Sequence, residues 1–230
     1  WWGSPTGIVR DPAFFDLARA DQGALLAPYE WVEHRRDYRP DDDFHRLAAA
    51  GFVQVDVQLP FRIGLRPLAA EALDCTITIA SAAEQPFEIA ATDYAIFRAE
   101  RFYALPGIEP ERVNARFALW ANRLVTQDPE RCLQVSSQGR VCGWFFSHRT
   151  GRSVELHLAM LAPDAPISGH HLYRSALIHY ARGGATIGHA AFHAANTQVL
   201  NIYSSLGARF LPPRANWLWL RPAELAPADG

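Results

Sequence analysis

The chain has 230 residues and a formal net charge of −2 at pH 7, and all 22 of its Lys or Arg residues are arginine. This length suits one large domain, or a full domain with a partial one, and provides enough core for stability without disulfides or structural metals. The near-neutral charge gives no electrostatic case for nucleic acid or an acidic membrane, and the chain shows neither an apolar run near ~18 residues nor a basic-then-apolar leader, so we expect no membrane span and no secretory signal.

The first 66 residues are predicted to form a small α/β unit. Its elements, in order, are a helix opened by Asp11 and Pro12, a strand over 29–36, a short helix over 41–51 with a glycine stop, and an alternating strand over 52–63. Such a unit cannot bury its sheet alone, so we expect it to pack against the rest of the chain. Residues 64–74 are the predicted linker.

The rest of the chain predicts a mixed α/β domain. We expect a strand over 75–81, helices over 86–97 and 110–125, a hairpin of strands 131–137 and 140–148 around Gln138 and Gly139, a strand over 154–163, a helix from Gly169, a strand over 185–194, a helix from Asn196 to Leu206 stopped by Gly207, and two short strands within 208–222.

Cysteines and histidines give no sign of a metal site. Cys75, Cys132 and Cys142 are an odd number at spacings unlike a ligand set, and each adjoins an apolar run, so we expect buried, reduced thiols in a cytoplasmic protein. His189 and His193 are four residues apart, but their segment reads as a strand and its loop, where they would not share a helical face. We therefore predict no metal.

The turn after the strand at 154–163 is the segment with the clearest chemistry. It passes through Pro163 into a loop, and a helix begins at about Gly169. The first N–H groups of a helix have no intrahelical partner and lie at the positive end of its dipole, so an anion such as phosphate could bind there. The alternative is a tight structural turn without a ligand.

The same loop carries a family resemblance. Leu161, Pro163, Pro166, Gly169 and His171 match the spacing V-x-P-x-x-[QR]-x-x-G-x-[GA] of the GCN5-related N-acetyltransferases, and Asn196, Tyr203 and the following LGARF resemble their next signature. Two positions depart from the pattern. Proline replaces the usual Arg or Gln at 166 and removes one N–H from the loop, and histidine replaces a small residue at 171.

The resemblance implies a central mixed, twisted sheet flanked by helices and acetyl-CoA as cosubstrate. Tyr203 would protonate the leaving thiolate; its alternative is a core tyrosine. Glu155 or His157, on the same face of a strand, would take the amine proton; the alternative for each is a polar strand edge. Asn196 would contact the coenzyme, cap its helix, or do both. The implied coenzyme residues are Met160, Leu161, Ala162, Pro166, Ile167, Ser168, Gly169, His170, His171 and Asn196.

The amino-terminal half narrows the resemblance. Four segments resemble the bacterial nucleotide-sugar N-acetyltransferases of the dTDP-fucosamine type: the W-x-x-x-x-x-x-I-V-R element, the LAAAGFVQVDVQLPF strand, RFYALPGI and the closing WLWL. That resemblance implies a partial acetyltransferase-like module over 1–66 and a complete domain over 67–230. It also implies that Tyr94, Arg98, Arg101 and Tyr103 bind the acceptor, the arginines gripping a diphosphate; the alternative is a solvated arginine pair.

These observations predict an N-acetyltransferase that moves the acetyl group of acetyl-CoA to a primary amine, that of a nucleotide-linked amino sugar. Two alternatives stay open: an acetyltransferase for another small amine or an antibiotic, and a catalytically impaired binding or dimerisation module with the same fold. We expect acetyl-CoA and a small amine as partners, a homodimer as an allowed state, and no nucleic acid, membrane or metal.

Overall fold

The structure is a computed structural model that describes residues 5–39, 44–94, 101–105 and 108–222. The strands are β1 (Thr6–Val9), β2 (Trp31–Asp37), β3 (Val53–Gly64), β4 (Ile77–Ser81), β5 (Cys132–Ser137), β6 (Arg140–Thr150), β7 (Ser153–Leu161), β8 (Ile187–His193), β9 (Arg209–Phe210) and β10 (Arg214–Leu220). The α-helices are α1 (Arg19–Leu26), α2 (His45–Ala49), α3 (Pro110–Gln127), α4 (Gly169–Arg182) and α5 (Thr197–Ser205).

The chain divides into two compact units. The first comprises Trp1–Leu59 and Pro212–Gly230, and the second comprises Pro60–Leu211. Strand β3 crosses the boundary: its first part belongs to the first unit and its last residues to the second. The predicted assignment of 1–66 to a partial module and 67–230 to a complete acetyltransferase domain stays a prediction.

In the first unit β10, the last of the described strands, lies in the middle of the sheet. β10 pairs antiparallel with both β2 and β3, and β1 pairs parallel with β2. The sequence instead predicted this strand, within 208–222, as the last one of the second domain. Five consecutive residues of β10, from Ala215 to Trp219, are buried, as expected for a strand that is covered on both faces. The apolar core of this unit includes Phe15, Val32, Phe52, Trp217 and Trp219.

The second unit carries the predicted loop and helices. Its strands lie in the order β3, β8, β7, β6, β5 and β4, with β9 paired to β3. β4 through β7 pair antiparallel, and β7 and β8 pair parallel. Helix α4 packs on one face and contributes Leu172, Ala176, Leu177 and Tyr180 to the core. Gln138 and Gly139 form the predicted β5–β6 turn, both with positive φ.

The predicted helix over 86–97 is wrong over its described first part. Residues 86–90 are irregular, a 3₁₀ helix follows at Ala91–Tyr94, and 95–97 lie outside the described residues. Asn122 of α3 explains the difference, because its side chain bonds both the N–H and the carbonyl of buried Ile89 at 2.9 and 3.0 Å. A side chain thus satisfies backbone groups that a helix would have paired.

The cysteine prediction holds in part. All three thiols are free, and Cys132 and Cys142 are buried, whereas Cys75 is exposed. Burial raises the pKa of the Cys132 thiol to about 12, which makes it unreactive at neutral pH. Within residues 64–74, the predicted linker, Glu71 forms an ion pair with Arg174 of α4.

Candidate active site

The centre of the second unit is a place where two parallel strands separate. β7 and β8 pair only at Ser153–Ile187, Val154–Gly188 and Glu155–His189. β7 nevertheless continues to Leu161 and β8 to His193. Backbone groups on this side of the later part of β7 therefore have no β8 partner. Unpaired strand edges are sites where an extended ligand can add main-chain hydrogen bonds.

A β-bulge at His157 sets the faces of β7. Phe146 pairs with Leu158 and Ser147 with Leu156, so His157 has no opposite residue on β6. Before the bulge the even-numbered residues 154 and 156 pack in the core with α4; after it the odd-numbered residues 159 and 161 do. The opposite face of β7 consequently carries Glu155, His157, Leu158 and Met160. The sequence did not predict this change in the alternation of side chains.

The predicted anion loop ends in a capped helix. Ser168 is the N-cap of α4: its Oγ accepts from the His171 N–H at 3.4 Å and lies 2.8 Å from Nδ1 of the same residue. The unusual histidine of the motif is thus held by the cap. Asp164 adopts a φ of 55°, and the Ala162 N–H donates to the Cys142 carbonyl at 2.8 Å, which fixes the start of the loop.

Two glycines position this loop through close approach. A Cβ at Gly169 would lie 3.0 Å from Cδ1 of Ile202 in α5 and 3.8 Å from Cδ1 of Leu161, so the start of α4 touches the tyrosine-bearing helix. A Cβ at Gly143 would lie 2.4 Å from the Met160 carbonyl oxygen. Gly143 was missed, because a lone glycine in a strand pattern does not reveal which backbone approaches it.

Helix α5 places Tyr203 in the core of the unit. The residue is 4% exposed, and its ring lies 4.0 Å from that of Phe61 and 5.1 Å from that of Tyr173. Burial raises the pKa of Tyr203 well above its usual value of 10, so the phenol stays protonated at neutral pH. Among the described residues no hydrogen bond to its hydroxyl is found. Asn196 caps α5 by accepting from the Val199 N–H at 3.2 Å, which leaves its amide NH₂ for another partner.

The two predicted bases lie together on the bulged face. His157 Nε2 is 3.8 Å from Glu155 Oε2; the histidine side chain is 18% exposed and the carboxylate side chain 53%. Burial lowers the pKa of His157 below 6.5, and Glu155 partly opposes this effect. The His157 ring also packs 5.7 Å from that of Trp120 in α3. A neutral imidazole beside a carboxylate can accept a proton at pH 7.

Further polar residues flank this pair. His148 Nδ1 lies 3.1 Å from Asp128 Oδ2, and Ser153 Oγ lies 3.1 Å from His189 Nδ1. In the described part of the chain no group of three or more His, Cys, Asp or Glu residues could hold a metal ion. His189 and His193 both lie on strand β8.

The predicted acceptor residues are described in part. Arg98 and the side chain of Tyr94 lie outside the described residues. Arg101 is only 7% exposed, with its guanidinium carbon 4.7 Å from the Phe102 ring centre, so it is not a solvated side chain. The Tyr103 hydroxyl donates to Asn114 of α3. Arg116, which the sequence did not single out, lies over the same Phe102 ring at 4.8 Å.

Three features therefore meet in the second unit: two parallel strands that separate, a bulge in one of them, and a capped helix start that touches a helix with a buried tyrosine. The chain shares its fold with GCN5-related N-acetyltransferases of known structure. No protein-family model and no curated relative matches the sequence. Solved structures do.

One solved structure with this fold is a GCN5-related N-acetyltransferase from Sphaerobacter thermophilus, with a TM-score of 0.53 and 19% identity over 88% of this chain; the chain spans 64% of that protein's length. A tandem protein of this fold from the clavulanic acid biosynthesis pathway has a TM-score of 0.50 and 15% identity, covering 99% of this chain and 77% of its own.

A third similar structure is a GCN5-related glucosamine N-acetyltransferase region of a fungal multi-domain β-N-acetylglucosaminidase. Its TM-score is 0.52 at 12% identity, covering 83% of this chain and 26% of its own. At these identities the likeness establishes the N-acetyltransferase fold. None of the helices in the described residues is both long and apolar enough to cross a membrane.

Proposed function

We propose that the chain is an acetyl-CoA-dependent N-acetyltransferase. The observation that carries this proposal is the separation of β7 and β8 directly after Glu155 and His189, beside the capped start of α4. An extended thioester arm could pair with the free edge of β7, while its phosphates meet the first N–H groups of α4. The shared fold supports the same reading.

The residues for donor binding are those that the sequence nominated, namely Met160 to Ala162, Pro166 to His171, and Asn196. They fit a phosphate-bearing ligand in two respects. The start of α4 offers N–H groups and a favourable dipole, and at Gly169 it packs closely on α5, where a Cβ would lie 3.0 Å from Cδ1 of Ile202. The Asn196 amide, whose oxygen is used by the helix cap, still offers a donor.

The proposed chemistry is acyl transfer to an amine. The amine nitrogen attacks the thioester carbonyl carbon, the C–N bond forms, and the C–S bond breaks. His157, supported by Glu155, takes the proton that the nitrogen loses, and Tyr203 gives a proton to the departing sulfur. Of the two predicted bases we favour His157, because it is the more buried and because its lowered pKa keeps it neutral at pH 7.

Acetyl-CoA should stabilise the protein against heat, because a ligand that binds only the native state shifts the unfolding equilibrium. At a concentration 100 times the dissociation constant the gain is about 2.7 kcal/mol. Differential scanning calorimetry measures it, with AMP at equal concentration as the control that lacks both the pyrophosphate and the thioester arm. An unchanged melting temperature at millimolar acetyl-CoA would contradict the proposal and favour the binding or dimerisation module.

For the acceptor we propose the primary amine of a nucleotide-linked amino sugar, with dTDP-fucosamine as the first compound to test. Arg101 supports this choice, since a largely desolvated guanidinium beside the Phe102 ring can bind diphosphate oxygens strongly. A cytoplasmic location accompanies the proposal, because free buried thiols and use of acetyl-CoA both suit that compartment.

Replacing Arg101 with alanine should raise the Michaelis constant for dTDP-fucosamine about 10- to 100-fold, because one or two charge-assisted hydrogen bonds are lost. The Michaelis constant for acetyl-CoA should stay nearly unchanged. Steady-state kinetics with each substrate varied in turn measures both constants. Arg123→Ala, at an exposed position of α3, is the matched control. If the enzyme acetylates free amines or peptides as fast as the nucleotide sugar, the nucleotide-sugar assignment is wrong and only the general acetyltransferase activity stands.

A further inference from the structure

The indole N–H of Trp144 is buried without a hydrogen-bond partner among the described residues. Buried donors of this kind are rare, because they lose their bonds to water and gain nothing in return. An indole can donate but not accept, so whatever satisfies it must present a lone pair. Tryptophan in the core usually finds such a partner within the protein.

Trp144 lies on the same side of the sheet as the proposed base. It is opposite Gln134 on β5 and Met160 on β7. Its neighbour Phe145 points the other way, into the core with α4. Because side chains alternate along a strand and directly opposite residues share a face, Trp144 joins Met160, Leu158 and the bulged His157.

Helix α3 runs along this face. Asp128, just after its end, bonds His148, and Trp120 in its middle contacts His157. The first half of α3 therefore lies toward the end of β6 that carries Trp144. That half also touches a predicted acceptor residue, since Asn114 accepts from Tyr103, and Arg116 lies over Phe102, the ring that Arg101 also contacts.

We propose that the Trp144 Nε1–H donates a hydrogen bond to an oxygen atom of the bound amine substrate and so helps to select it. The proposal rests on the proposed acetyltransferase function and adds a requirement to it. The acceptor must carry a hydroxyl, carbonyl or phosphate oxygen near its amine, as an amino sugar does and a plain alkylamine does not. Binding would satisfy a donor for which the described residues provide no partner.

Trp144→Phe removes the donor and keeps most of the ring. We expect the Michaelis constant of the amine to rise about 3- to 10-fold, the value of one neutral hydrogen bond, with the constant for acetyl-CoA unchanged. Trp217→Phe is the matched control, because its indole N–H is also buried with no partner in the described part of the chain, but in the apolar core of the first unit. An unchanged amine constant, or a rise for acetyl-CoA alone, would overturn the proposal.

A second measurement needs no active variant. In ¹⁵N-labelled wild-type protein, the Trp144 indole resonance, assigned by single Trp→Phe substitutions, should move on titration with the amine, and that of Trp217 should not. The amines are dTDP-fucosamine, glucosamine and propylamine. If the enzyme acetylates glucosamine and not the nucleotide sugar, the nucleotide-sugar assignment is wrong. The response of the Trp144 resonance to glucosamine then tests the role of Trp144. A Trp144 resonance that moves with none of the three, or equally with propylamine, rejects its role.

Discussion

Replacing Tyr203 with phenylalanine should lower turnover about 10²- to 10⁴-fold and leave the melting temperature nearly unchanged. The substitution keeps the ring against Phe61 and Tyr173 and deletes only the hydroxyl, for which no hydrogen bond is found among the described residues. Burial raises the pKa of Tyr203, and the same surroundings would raise that of a thiol, so a proton can still pass between them. Steady-state kinetics and calorimetry on one preparation give both readouts.

Tyr180→Phe is the matched control for this variant. Tyr180 is also a buried core tyrosine, but its hydroxyl donates to the Arg131 carbonyl at 2.8 Å. Loss of that bond should cost stability, about 0.5–1.5 kcal/mol, and leave turnover intact. The opposite pattern for Tyr203→Phe, with full activity and early melting, would make Tyr203 a core residue only.

His157→Gln should lower the rate about 10²- to 10⁴-fold at neutral pH and remove the acidic limb of the pH–rate profile. Burial lowers the pKa of His157 below 6.5, so the wild-type rate should be level above that pH and fall as acid protonates the imidazole. Glu155→Gln should keep the limb. If Glu155→Gln loses it and His157→Gln does not, the carboxylate is the base.

His179→Gln controls for effects of pH on folding. His179 lies on α4, and burial also lowers the pKa of its ring. For both histidines the unfolded state binds protons first, so each reduces stability as the pH falls from about 6.5 toward the lowered pKa. The His179 variant should keep the acidic limb of the rate while its stability loses some dependence on pH. Melting temperatures taken at each pH separate unfolding from loss of the base.

The sequence predicted local structure best where a residue pattern was compatible with a single type of element. The amphipathic stripe of α3, the turn at Gln138 and Gly139, and the start of α4 near Gly169 all occur as expected. The fold was also predicted, through the loop and its spacing to Asn196 and Tyr203. These signals depend on neighbours within a few residues or on a fixed spacing along the chain.

Features that depend on distant contacts were missed. The irregular segment before Tyr94 follows from Asn122, more than thirty residues away. The bulge at His157 requires the register of β6, and the need for glycine at 143 requires the Met160 carbonyl. The pattern of β10 showed a buried strand but not which sheet would receive it. The roles of Tyr203, Glu155, His157 and the coenzyme residues stay predictions.

The central position of β10 in the first unit has a consequence for the order of folding. Its neighbours β2 and β3 begin before the second unit in the chain, but the strand between them follows that unit and leaves the ribosome after it. The second unit, Pro60–Leu211, is complete before β10 appears. Because long-range pairings form slowly and domains fold as units during synthesis, the first unit should reach its native state after the second. Until then the nascent chain exposes the edges of β2 and β3, where chaperones could bind.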